Sequence, residues 1–93
     1  MYKVLVCDDE KDIVSAISIY LTSDGYEVIP ARNGLEALDI VKHNDVHLVL
    51  MDIMMPVMDG IEAMVEIRKI SNVPVILPVS YTHLRAHETS LHL

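Results

Sequence analysis

The sequence predicts an α/β fold, a doubly wound parallel sheet with helices on both of its faces. Three observations carry that prediction. Short, continuous apolar runs alternate with segments of helical period. The connections between them are only a few residues long, and two of the runs end abruptly in carboxylates. Runs of four to eight apolar residues read as strands covered on both faces, and strand-helix alternation reads as a parallel sheet.

Val4 to Cys7 is the first such run, rich in β-branched residues, and it stops at Asp8-Asp9-Glu10. From Lys11 the period changes. Ile13, Ile17, Tyr20 and Leu21 recur at helical spacing, which places them on one inward face, and Gly25 follows as the stop. Glu27 to Ala31 is a second strand. Pro30 within it has no amide proton to give a ladder, so this strand belongs at a sheet edge.

Asn33-Gly34-Leu35-Glu36 resembles a capping box and opens a helix to about His43, with Leu38 and Val41 inward. His47 to Met51 is a third strand and delivers Asp52 at its carboxyl end. Gly60 to Ile70 reads as a helix with Ile61, Met64 and Val65 on one face and Arg68 and Lys69 at its dipole-favoured end. Val73 to Leu77 is the fourth strand.

Composition excludes several functions. Of 93 residues, 52% are hydrophobic and 23% charged, which favours a packed core over a disordered chain. Fourteen acidic against seven basic residues give a net charge of −7, so no direct nucleic-acid contact is expected. The single Cys7 lies inside an apolar run and is expected to be a buried strand residue in a reducing compartment. No signal-peptide core precedes Asp8, and Asp52 and Pro56 interrupt the longest apolar stretch. A cytoplasmic, membrane-free location is the expectation.

In open parallel sheets ligands sit beyond the carboxyl ends of the strands. Asp8 and Asp9 leave the first strand there and Asp52 leaves the third. Neighbouring strands stand about 4.8 Å apart, so three acids can converge on one small volume. Like charges that close raise one another's pKa unless a cation compensates them, and an all-oxygen donor set suits Mg²⁺. One carboxylate can then serve as a nucleophile.

Asp8-Asp9-Glu10, followed by Met51-Asp52-Ile53-Met54-Met55-Pro56-Val57-Met58-Asp59-Gly60, resembles the two acidic signatures of response-regulator receiver domains. The second string is highly specific, and the match runs from Met1 to about Leu77. The resemblance implies a flavodoxin-like sheet of strand order 2-1-3-4, truncated after the fourth strand. It also implies Asp52 as phosphoacceptor, with Mg²⁺ held by Asp8, Asp9, Asp52 and the Met54 backbone carbonyl. The Met54 side chain is not a ligand, since magnesium rejects thioethers. Pro56 and Gly60 resemble the residues that shape the loop after Asp52. A sensor histidine kinase is the implied partner, and a transcriptional regulator with a DNA-binding output domain the implied parent.

Residues 1–77 are thus read as an incomplete receiver. The string from Pro78 to Leu93 loses strand period, holds His83, His87 and His92, and is read as a frame or junction artefact. The family's Ser or Thr after the fourth strand aligns with Val79, Ser80 comes one residue late, and the Lys ending a fifth strand has no counterpart. The leading expectation is a phosphoacceptor switch, not a metabolic enzyme. One alternative is a switch-incompetent fragment acting only in Mg²⁺ binding or interaction, with self-association through an exposed edge strand. Another is a Mg²⁺-dependent aspartyl phosphatase of haloacid-dehalogenase type, which wants an Asp where Met54 stands.

Overall fold

The computed structural model describes residues 1–77. The elements run β1 (Lys3–Cys7), α1 (Lys11–Ser23), β2 (Glu27–Ala31), α2 (Gly34–His43), β3 (Leu48–Met51), α3 (Gly60–Arg68) and β4 (Val75–Ile76). All strand pairs are parallel and the sheet order is β2-β1-β3-β4, as expected. Val79, Ser80 and the three tail histidines lie outside the described residues. Among the described residues no helix is long and apolar enough to cross a membrane.

β1 is central because its side chains are apolar on both faces. Leu5 and Cys7 join the main buried cluster with Ala31, Ala37, Val49, Met51, Met55, Ala63, Ile67 and Val73. Val4 and Val6 alternate with them and are equally buried on the opposite face, where α1 packs across β1 and β2. β2 stands at the edge, where Pro30 is tolerated.

α1 closes with both bonds of a Schellman motif. The Tyr26 amide donates to Leu21 O at 3.1 Å and the Gly25 amide to Thr22 O at 3.0 Å. Gly25 takes φ +91°, a conformation that side chains resist. The inward stripe of α1 is rotated from the expected one. Ile13, Val14, Ile17, Ser18 and Leu21 are half-buried, Tyr20 on the flank is 71% exposed, and Ile19 is 72% exposed.

A second correction concerns α3. Its buried face is Gly60, Ala63 and Ile67, while Ile61 and Val65 stay about half exposed and Met64 is intermediate. Small residues let the helix come close to α2 and to the Asp52–Ile53 backbone, and Ile61 and Val65 are turned outward. In α2 the same holds. Gly34 and Ala37 are buried, with Leu38, Ile40 and Val41 packing half-buried against the core.

β4 is shorter than the expected Val73 to Leu77, and at its start Val73 spends its backbone groups elsewhere. The Val73 amide donates to Ser71 Oγ at 3.0 Å, the Arg68 guanidinium donates to Val73 O, and Pro74 has no amide proton. Val73 is still buried and anchors the strand. β3 likewise begins at Leu48, one residue late, although the His47 amide already donates to Lys3 O at 2.9 Å.

Candidate phosphoacceptor and cation site

Backbone pairing carries on for one residue beyond the carboxyl ends of β1 and β3. The Asp8 amide donates to Ala31 O at 3.1 Å, and the Asp52 amide donates to Cys7 O at 3.0 Å. The sheet itself therefore holds both residues. Carboxylate oxygens of Asp8, Asp9 and Asp52 lie within 4.8 Å of one another; Asp8 and Asp52 are half-buried and Asp9 is exposed. The three acids singled out in the sequence are thus gathered in one place.

Asp8 is further tied by an Asx turn, its Oδ1 accepting from the Glu10 amide at 3.0 Å. Its carboxyl is nonetheless pushed above the usual range. Burial is the main cause, the Glu10 amide opposes it, and the charges of Asp52 and Asp9 add to the rise. Three carboxylates gathered this closely form an all-oxygen donor set suited to a hard divalent cation. The Cys7 thiol beneath it is pushed up to about 12, chiefly by burial and then by Asp8, Glu36, Asp52 and Asp9. It stays protonated, donates to Asn33 O at 3.2 Å and touches Met55 Sδ at 3.5 Å.

Beside Asp9 a cleft of about 410 Å³ is lined by Ile53, Met54, Met55, Pro56 and Asp59. Met54 is 60% exposed on it, whereas Met51 and Met55 are buried in the core, so the methionine run divides between packing and surface. A larger cleft, about 550 Å³, opens on the other side of Asp8 between α1 and the end of β2. Each cleft borders one of the three acids, Asp8 in the larger and Asp9 in the smaller, and only the smaller also takes in the loop that follows Asp52.

The loop from Asp52 to Asp59 contains features that the sequence reading did not single out. Asp59 caps α3, its Oδ1 accepting from the Glu62 amide at 2.8 Å, just as Asn33 Oδ1 caps α2 by accepting from Glu36 at 2.9 Å. The Glu36 carboxylate reaches back to the Arg32 amide, one residue before the cap, and pairs with the Arg32 guanidinium at 2.9 Å. The signal was present. Asp59-Gly60-Ile61-Glu62-Ala63 repeats the pattern of Asn33-Gly34-Leu35-Glu36-Ala37.

In both strings the glycine is buried against the same loop. A Cβ on Gly60 would collide with the Asp52 carbonyl oxygen, and one on Gly34 would sit 2.6 Å from Met58 O. Between them Val57 has φ +72° while the Met58 amide donates to Pro56 O at 2.8 Å, a γ-turn of the rare positive-φ kind. For a β-branched residue this is a strained state, costing about 1–3 kcal/mol.

The family profile for the response regulator receiver domain matches residues 4–92. The chain belongs to this family. As a receiver it is 47% identical over 78 residues to a transcriptional regulatory protein CpxR homolog of Haemophilus influenzae, covering 83% of this chain and 34% of that one. It spans about a third of the length of the curated relatives it matches. Among solved structures, the response regulator TrrA of Thermotoga maritima in complex with Mg²⁺-BeF superposes with a TM-score of 0.82 at 38% identity, covering 97% of this chain and 79% of that one. A complex of the histidine kinase ThkA with TrrA also matches, with TM-score 0.82 and 40% identity over 91% of this receiver and 74% of its counterpart.

Proposed function

We propose that this receiver accepts a phosphoryl group on Asp52 from a sensor histidine kinase, with Mg²⁺ held by Asp8, Asp9, Asp52 and the Met54 backbone carbonyl. The observation that carries the reading is the gathering of three carboxylates within 4.8 Å at the carboxyl ends of adjacent strands. The complexes of TrrA with Mg²⁺-BeF and with a histidine kinase support it.

In the transfer, an Asp52 carboxylate oxygen forms the new P–O bond as the P–N bond of a phosphohistidine breaks. The electron pair of that bond leaves with the imidazole nitrogen, which picks up a proton. Bound Mg²⁺ supplies the positive charge that lets an anionic nucleophile meet an anionic phosphoryl group. The Asp52 amide donates a hydrogen bond to Cys7 O, so the main chain that carries the nucleophile is held by the sheet. Asp9, the most exposed of the three, offers a carboxylate without deep desolvation.

With a net charge of −7 the receiver is not proposed to touch nucleic acid. Transcription control belongs, on this reading, to the whole protein, as the names of its relatives suggest. The test is direct. Acetyl phosphate with Mg²⁺ should label Asp52 alone, and Asp52→Asn should abolish the label. Full labelling of Asp52→Asn, or unchanged Mg²⁺ affinity in Asp9→Ala, would sink the assignment.

A further inference from the structure

The loop after Asp52 is strained at Val57, and such conformations persist only where the surroundings over-determine them. Two backbone bonds from outside the turn do this. The Gly60 amide donates to Ile53 O at 2.9 Å, closing the loop on itself, and the Gly34 amide donates to Met58 O at 3.2 Å, fastening it to the start of α2. Gly34 does not occupy the left-handed region; φ is not what requires glycine here. The requirement is approach. An added Cβ would lie 2.6 Å from Met58 O and 2.9 Å from Met58 Cβ and Cγ, closer than real side chains come.

The same helix start is joined to β1 and to the loop by sulfur. Cys7 Sγ contacts both Asn33 O and Met55 Sδ. The residue before Gly34 and the residue after Met54 therefore meet on one buried thiol. Movement of Met58 away from α2 would release the γ-turn, and the backbone between Asp52 and Pro56 would be free to drift from Asp9.

We propose that Gly34 is a positioning residue of the cation site: by clamping Met58 it sets the backbone of the Met54 loop against Asp8, Asp9 and Asp52. It touches neither metal nor phosphoryl group. The inference rests on the proposed Mg²⁺ site, and its consequence is reciprocal. If the clamp favours the cation, the cation must tighten the clamp.

Mg²⁺ titration of this protein, Gly34→Ala and Val41→Ala, each followed by amide NMR with melting temperatures recorded alongside, separates the possibilities. Gly34→Ala should bind Mg²⁺ about tenfold more weakly, in the range found for groups that orient ligands. Val41→Ala, which removes half-buried α2 packing away from the loop, should lose stability with no change in affinity. In the unsubstituted protein Mg²⁺ should slow hydrogen exchange at the Gly34 amide and not at the Ala37 amide, and this arm decides the matter if Gly34→Ala does not fold. Native Mg²⁺ binding with equal affinity in Gly34→Ala, or with no selective protection of Gly34, overturns the clamp and leaves the site intact. Absence of Mg²⁺ binding by the native protein overturns the site itself.

Discussion

α1 and the pair α2–α3 are buried in opposite ways. α1 is rich in branched apolar residues, yet none of its residues is fully buried, and Glu10 at its N-terminus makes no side-chain cap. α2 and α3 each open with a capping side chain, a buried glycine and a buried alanine. Hydrophobicity is thus a poor guide to which helix residues are most deeply buried. Small residues permit close approach, and close approach is what brings two helix starts against the loop that follows Asp52.

The largest effect that this contrast predicts is in the α3 seat. Ile67→Ala, at a fully buried position, should cost about 2–5 kcal/mol, enough to unfold much of a small domain. Ala63→Leu should cost about 1–3 kcal/mol by overpacking the same interface. Urea unfolding reads both, and a near-neutral Ala63→Leu would mean that the close approach of α3 is not tight.

Capping separates the helices next. Asn33→Ala and Asp59→Ala should each lose about 1 kcal/mol, whereas Glu10→Ala should stay within about 0.5 kcal/mol. Equal losses at all three positions would erase the distinction. On the outer surface, Ile19→Ser and Val65→Ser should each change stability by no more than about 0.5 kcal/mol.

A subtler test is the pH dependence at the site. The Asp8 carboxyl titrates above its ordinary value of 3.8 in the folded state. Between the two values the folded chain keeps a proton that the unfolded chain has released, so stability falls as pH rises through that window. A bound cation favours the carboxylate and should flatten or reverse the slope. Melting temperatures across mildly acidic pH, with and without Mg²⁺, and again in Asp8→Asn, measure it; an unchanged slope in Asp8→Asn would assign the dependence elsewhere.

Where the sequence was legible, one physical demand dominated. Val4 to Cys7 and Leu48 to Met51 are apolar on both faces and could only be inner strands, and Pro30 could only be tolerated at an edge. The acids after those strands follow directly, so their convergence was legible too. Packing distance was not. Ile61 and Val65 look like a core face because they are large and apolar, and only the proximity of α2 and of the Asp52 backbone reveals that Gly60 and Ala63 hold that place. The length of β4 depended on what Ser71 and Arg68 do with the backbone of Val73, a tertiary matter. Val57 in a positive-φ turn runs against its own preference, and no local rule anticipates it.

Cys7 carries one more consequence. Its thiol is covered by Met55 and the start of α2, and burial, reinforced by the surrounding acids, keeps it from becoming a thiolate. A sulfhydryl reagent in solution can therefore reach it only when α2 or the Asp52–Asp59 loop lifts away from the sheet. The rate at which the folded chain is alkylated becomes a clock for that opening, read without substituting any residue, and a ligand that closes the loop should slow it.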